Sequence, residues 1–333
     1  NAETRRGGMS ESLPLVAVAG AGRMGRGLAH AFAYTGHDVR LIDLKPRPPG
    51  TSPLDGARDE IAATVGLMWR IGALDEAQLA TILGRISYHD VDAADAALAD
   101  ADIVFEGVPE IMAVKAAAFA RIGAAVRRDA IIASTTSTFA VDELAAFVAE
   151  PVRFLNAHWL NPAYLVPLVE VSPGAATSEA TLARMMTVLR RAGKVPVKCA
   201  AAPGFIVPRI QALAMNEAAR IVAEGVATAE DVDTATRVGL GLRFAVIGLV
   251  EFIDWGGGDI LYYASNYLKD ALGDGRHAPP DIIARNMEDG AIGMRAGRGF
   301  HDWSGRDLDA YRNETLTRLV SLLQHLALMP KPE

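Results

Sequence analysis

The chain has 333 residues, half of them hydrophobic and 22% charged, enough for about two domains with sizeable cores. Its net charge of −7 argues against a nucleic-acid surface and against docking on anionic membranes, and no apolar run approaches the ~18 residues of a membrane span. The single cysteine, Cys199, excludes an internal disulfide and fits a reducing, cytoplasmic setting; it is read as an ordinary buried thiol.

Asn1 to Gly8 are polar, contain Arg5 and Arg6, and lack the apolar core of a signal peptide. Met9 is a candidate start, and the residues before it are set aside. The run Leu15 to Ala19 then leads into Gly20-Ala21-Gly22-Arg23-Met24-Gly25. A helical stretch from Arg26 to Thr35 follows, and a second apolar run, Val39 to Ile42, ends at Asp43. This strand–turn–helix–strand–acid order is the context a dinucleotide site requires. Gly20 permits the tight turn, Gly22 lets the backbone approach a pyrophosphate, and Gly25 lets helix and strand pack closely. The diphosphate would meet the N-terminus of this helix, where unpaired N–H groups favour negative charge, and Arg23 and Met24 in the preceding turn are further candidates for cofactor contact. Asp43 would accept hydrogen bonds from the adenosine ribose and repel a 2′-phosphate. NAD is therefore expected rather than NADP, with Lys45 weakening the preference slightly. The alternative is a glycine turn that binds nothing.

Further along, Lys45 to Pro53 reads as a loop and Leu54 to Ile71 and Leu74 to Leu83 as helices. Strands are expected at Ile86 to Tyr88, Ala101 to Glu106, Ala130 to Ser134, Arg153 to Trp159, Leu165 to Val171 and Lys194 to Lys198. Helices are expected between them at Ala93 to Ala99, Ile111 to Val126, Val141 to Ala149 and Ser178 to Ala192. Such alternation implies an α/β fold with a mostly parallel, doubly wound sheet. After the small-residue junction Ala200 to Gly204 the periodicity turns helical: Ile206 to Glu224, Ala229 to Val238, Leu249 to Leu268, Pro280 to Asp289 and Leu308 to Leu328. The expected organisation is a Rossmann-type domain over 12–199 and an all-helical domain over 200–333. Leu240 to Trp255 is unusually apolar, and is read either as domain core or as a dimer interface.

Three segments carry candidate chemistry: Ala133 to Thr138, Asn156 to Pro162 and Pro167 to Val171. Ligands in open α/β sheets bind beyond the carboxyl ends of strands. Oxidising an alcohol requires a base for the hydroxyl proton, and histidine suits it. A carboxylate on the other ring nitrogen fixes the tautomer and stabilises the imidazolium. His158, Glu170 and Ser137 are the candidates; Ser137 and His158 follow strands, and the short connection Asn161 to Val166 can return Glu170 beside His158. On residue type alone, a histidine beside a tryptophan is more often structural, and spacing does not single out one of the seven histidines. No metal site is expected.

These motifs together resemble the 3-hydroxyacyl-CoA dehydrogenase family, 3-hydroxybutyryl-CoA dehydrogenases included. The resemblance runs from Val16 to about Trp303. It rests on the glycine run at 20–25, Glu110 with Lys115, Ser-Thr-Thr-Ser at 134–137, His-Trp-Leu-Asn-Pro at 158–162, Leu-Val-Glu-Val at 168–171, Pro-Gly-Phe-Ile-Val at 203–207 and Gly-Arg-Gly-Phe at 297–300. It implies NAD-dependent oxidation of an L-3-hydroxyacyl-CoA in fatty-acid metabolism, and a homodimer built through the helical domain. It implies His158 as base, Glu170 as its partner and Ser137 as the hydroxyl-binding residue. Glu110, Lys115 and Asn161 would lie around the nicotinamide end of the cofactor.

Three features depart from the family pattern. Pro208 stands where asparagine is common, so a polar side chain is lost. The arm at 55–70 carries only Arg58 and Arg70 as cations, a poor match for CoA phosphates. The segment Gly239 to Ala245 resembles that of relatives acting on small free acids such as carnitine or gulonate. There Arg243 would pair a substrate carboxylate, or alternatively form a structural salt bridge. A free 3-hydroxy acid is thus the alternative substrate, and a crystallin-like NAD-binding protein without activity the alternative class.

Overall fold

The computed structural model describes residues 13–48, 51 and 53–332. Asn1 to Gly8, Met9 and the proposed domain start at Ser12 lie outside these residues, as do Pro49, Gly50 and Ser52 of the expected loop. The chain divides into two compact units, one up to Leu213 and one from Ala214.

The first unit runs β1 (Val16–Ala19), α1 (Arg23–Tyr34), β2 (Val39–Ile42), α2 (Pro53–Arg70), α3 (Glu76–Gly84), β3 (Ile86–His89), α4 (Ala94–Leu98), β4 (Ile103–Glu106), α5 (Met112–Ala125), β5 (Ile131–Ser134), α6 (Val141–Ala145), β6 (Phe154–Trp159), β7 (Leu168–Pro173), α7 (Glu179–Arg191) and β8 (Val195–Lys198). The strands form one sheet in the order β3-β2-β1-β4-β5-β6-β7-β8. Every pairing is parallel except β6 with β7. Alternate residues of β1 feed opposite cores. Val16 and Val18 pack with Leu28, Phe32 and Ile61, whereas Ala17 and Ala19 pack with Phe119 and Ile122. A sheet buried on both faces needs apolar residues at every position, which explains the unbroken apolar strands. Each large side chain fully withdrawn from water contributes about 1.5–3 kcal/mol.

The expected strand from Leu165 begins only at Leu168. The amides of Leu165 and Val166 instead bond back to the Pro162 carbonyl at 3.0 and 2.9 Å, closing a turn. The expected helix from Val141 to Ala149 stops at Ala145.

The helices that follow are α8 (Val207–Ala223), α9 (Ala229–Thr234), α10 (Leu242–Phe244), α11 (Leu249–Gly256), α12 (Gly258–Leu272), α13 (Asp281–Glu288) and α14 (Leu308–His325). The helix expected to run on to Val238 becomes a π-helical segment, Ala235–Gly241. The single helix expected over Leu249 to Leu268 is two, broken at Gly257. That residue has φ +106°, a conformation other residues rarely adopt, and a Cβ there would stand 2.5 Å from Asp259 Oδ1. Asp254 on α11 is buried and accepts hydrogen bonds from the Phe300 and His301 amides and from Trp303 Nε1, at 2.9, 2.8 and 2.9 Å. A Cβ on Gly299 would fall 2.1 Å from this carboxylate, so the Gly-Arg-Gly-Phe run serves as a structural clasp within this unit. Within Leu240 to Trp255 only Ile247 and Asp254 are buried, so the stretch is not domain core.

Candidate active site

The turn between β1 and α1 is built as a cradle. Gly20 has φ +132°, and a Cβ there would lie 2.5 Å from the Gly107 carbonyl oxygen. A Cβ on Gly25 would lie 1.8 Å from the carbonyl oxygen of Gly20, so helix and turn meet backbone to backbone. Gly22 has nothing within 4 Å of its missing Cβ, which leaves the approach to the helix start open. No side chain caps that helix, and its first turn holds no acid. These features fit a diphosphate against the helix N-terminus. The cleft in front has a volume of about 920 Å³ and reaches Asp43 at the end of β2. Asp43 is buried and engaged by Arg47, whose Nε and Nη2 donate to Oδ2 and Oδ1 at 2.9 and 3.4 Å.

A second cleft, of about 350 Å³, is lined by Ser137, His158, Asn161, Glu110, Arg23 and Met24, with Pro208 also on its wall. Its centre is set by the antiparallel pairing of β6 with β7. His158 on β6 and Glu170 on β7 are register partners, and Nδ1 of the imidazole stands 2.7 Å from Oε2 of the carboxylate. A carboxylate only accepts, which assigns the proton to Nδ1 and leaves Nε2 as an acceptor. The other oxygen, Oε1, accepts the amides of Ile206 and Val207 at 2.8 Å each, at the start of α8. Glu170 is therefore held at both ends. The imidazole also stacks on Phe205, with ring centroids 4.8 Å apart at 15°. Phe205 has φ +45° and follows Gly204 at φ +78°, and this left-handed pair turns the chain across the histidine face. Trp159, next along the strand, faces away and packs edge-on against Phe32 and Phe105. Alternation along the strand thus gives the tryptophan to the core and the histidine to the cleft.

Glu110 organises the loop after β5. Its Oε1 accepts from the hydroxyl of Thr136, from the amides of Ser137 and Thr138, both at 3.2 Å, and from the Thr138 hydroxyl at 2.8 Å. Burial alone would push its carboxyl up, but the threonine hydroxyls and the Lys115 ammonium outweigh that and hold it below the ordinary range. The Ser137 hydroxyl has no partner among the described residues and is exposed to the cleft.

Lys115 is not on the cleft wall. It is buried, and its ammonium lies 2.9 Å from Glu106 Oε1 and 3.1 Å from Glu110 Oε2. Glu106, fully buried, also accepts from Ser134 Oγ at 2.6 Å and the Val108 amide at 2.8 Å. Glu106 and Arg47 are neighbours of these clefts that residue-type reasoning passed over, whereas Ser134 lies in the candidate segment Ala133 to Thr138. An acid closing the apolar strand Ile103 to Phe105 was the available signal for Glu106. Arg243 forms no ion pair among the described residues. Its Nε donates to the Gly239 carbonyl at 2.7 Å and its guanidinium lies 5.2 Å from the Phe252 ring centre, so the salt-bridge expectation does not hold. Burial and the Glu170 charge push the Cys199 thiol up, so it is a poor nucleophile. No described helix is long and apolar enough to cross a membrane, and no metal-binding cluster occurs among the described residues.

Comparison with known proteins agrees along most of the chain. Residues 15–202 match the family described as 3-hydroxyacyl-CoA dehydrogenase, NAD binding domain, and residues 204–303 its C-terminal domain. A probable 3-hydroxybutyryl-CoA dehydrogenase of Deinococcus radiodurans is 33% identical over 86% of this chain and 99% of its own length. The 5-formyl-3-hydroxy-2-methylpyridine 4-carboxylate 5-dehydrogenase of Mesorhizobium japonicum is 30% identical over 92% and 96%. The crystal structure of a 3-hydroxyacyl-CoA dehydrogenase from Archaeoglobus fulgidus superposes with a TM-score of 0.73 at 31% identity, covering 95% of this chain and 100% of that one. With an open diphosphate cradle and a matching sequence on either side of it, the chain belongs to the 3-hydroxyacyl-CoA dehydrogenase family and is an NAD-dependent dehydrogenase.

Proposed function

We propose that the protein oxidises an L-3-hydroxyacyl compound reversibly to the 3-oxo compound, with the CoA thioester as substrate class. The His158–Glu170 pair at the second cleft carries this reading. Bound NAD supplies the hydride acceptor. Nε2 of His158 takes the hydroxyl proton, and Glu170 stabilises the imidazolium that results. In the reverse direction the same nitrogen returns the proton. The Ser137 hydroxyl holds the substrate oxygen. Gly20, Gly22, Arg23, Met24, Gly25 and Asp43 serve the cofactor's diphosphate and adenosine, and Glu110 and Asn161 its nicotinamide end. Lys115 acts through Glu110 and is a positioning residue. The unit from Ala214 serves dimerisation. Ile260, Tyr263 and Tyr267, spaced to share one face of α12, are 59, 64 and 71% exposed, and a second copy of the chain is the partner of matching chemistry.

A free 3-hydroxy acid is the second reading. Arg58, one of the two cations on α2, is stacked 4.3 Å over the Tyr88 ring, leaving Arg70 as the other. Pro208 adds no polar group to the cleft wall. One relative acts on a pyridine carboxylate, by its name. Arg243 keeps its terminal nitrogens free of hydrogen bonds among the described residues, as a carboxylate partner requires. The deciding experiment is NADH production from 3-hydroxybutyryl-CoA, free 3-hydroxybutyrate, carnitine and gulonate, repeated with Arg243→Leu. Turnover of the thioester with low-micromolar KM, unchanged in Arg243→Leu, supports the first reading. Turnover of a free acid, impaired in that variant, supports the second. No turnover of any of the four refutes both.

A further inference from the structure

The adenosine end of the cofactor cleft holds more charge than a ribose requires. Asp43 follows β2 directly, and its carboxylate is 8% exposed. Arg47 reaches back four residues and grips both oxygens of that carboxylate, at 2.9 and 3.4 Å, while staying 36% exposed itself. The Lys45 amide adds a weaker contact to Oδ1 at 3.3 Å. The run is Lys45-Pro46-Arg47-Pro48, so Lys45 and Arg47 each precede a proline and are restricted to extended backbone. That restriction presents the Arg47 side chain to Asp43 with less entropy lost. The Lys45 side chain is exposed on the same cleft wall and has no partner among the described residues.

A 2′-phosphate on the cofactor would arrive beside these groups. With Asp43 present, the guanidinium N–H groups of Arg47 are directed at the carboxylate, and the phosphate meets a negative charge. With Asp43 removed, Arg47 and Lys45 become two unpaired cations on the same cleft wall. A guanidinium offers a fork of donors that matches a phosphate bidentately.

We propose that Arg47 is a second determinant of cofactor choice: selectivity for NAD comes from the Asp43–Arg47 pair, in which the acid occupies an arginine otherwise poised to bind a 2′-phosphate. A plain surface ion pair of this spacing would have no such consequence, since most contribute little.

The test is a double-mutant cycle read as binding, by calorimetric titration of NAD and NADP into the whole protein. Asp43→Ala is expected to weaken NAD and to tighten NADP about ten- to hundredfold, the range of a charge-assisted hydrogen bond. Arg47→Ala on the parent is expected to weaken NADP further. In Asp43→Ala/Arg47→Ala most of the NADP gain should vanish, the remainder reporting Lys45. Asp43→Asn keeps the side-chain volume and carries the same comparison should the alanine variant fold poorly. An NADP gain of equal size with and without Arg47 overturns the proposal, as does the absence of any gain in both Asp43 variants.

Discussion

Nδ1 of His158 lies 2.7 Å from Oε2 of Glu170, directly across a rung of the antiparallel β6–β7 pairing. Strand reversal at the turn after Asn161 puts two residues twelve apart in sequence side by side. The geometry is rigid because Glu170 is also tied to the start of α8 through its second oxygen. Orientation of the imidazole and entry of the chain into α8 thus depend on one carboxylate.

Loss of the proposed base is expected to show in kcat. His158→Ala should lower turnover by about 10²–10⁴-fold, the usual worth of general-base catalysis, with the Kd for NAD nearly unchanged. Glu170→Gln should be harmful but less so, and Glu170→Ala should also lower Tm, because two α8 amides lose their acceptor. Steady-state rates and a cofactor titration check this; a His158→Ala enzyme with half the parent rate rejects the assigned base.

Lys115→Met should destabilise the fold strongly. It leaves Glu106 fully buried with no cation, and breaking a buried pair costs about 3–5 kcal/mol. Adding Glu106→Gln should restore part of the loss, since the uncompensated charge is gone. Urea midpoints of the two variants measure it. Should the single variant match the parent, the pair would contribute nothing to the fold.

His30 should govern part of the acid limb of stability. His30 is 1% exposed, its ring is stacked 4.4 Å from Tyr164, and its Nε2 has no hydrogen-bond partner among the described residues. Burial, with the Lys194 ammonium adding to it, pushes its pKa down to about 4 from 6.5. The folded value lies below the unfolded one, so as pH falls the unfolded chain takes up this proton first. Stability is therefore lost from about pH 6.5 down to about 4, where the folded form also protonates. A gap of this size corresponds to about 3 kcal/mol. His37, also lowered mainly by burial, acts in the same direction in parent and variant alike. Denaturation curves across this window should be flatter for His30→Phe; equal slopes would dismiss the role.

The exposed face of α12 predicts self-association. Light scattering at micromolar concentration should give twice the chain mass, and Tyr263→Glu with Tyr267→Glu should return it to one. A monomer in the parent removes the dimer.

The cofactor cradle was legible in the sequence because its determinants are local. Gly20, Gly22 and Gly25 act through their own backbone within one turn, and the alternation of apolar runs sets the doubly wound order. The helix break at Gly257 was less legible, because apolar periodicity continues across it while a single positive φ decides the outcome. His158, Glu170 and Ser137 were legible as residue types, and their order along the chain carried the family resemblance. That Glu170 returns beside His158 was legible from the short Asn161 to Val166 connection, but the antiparallel register and the 2.7 Å contact were not, since they depend on how β7 pairs. The burial of Lys115 behind Glu110, and the capture of Asp43 by Arg47, are further from sequence still. Both are choices among charged partners, made by burial and distance after the chain has packed. Propensity and periodicity act over a few residues and so are written in the sequence. Electrostatic pairing acts through space, and only the tertiary structure says which charge meets which.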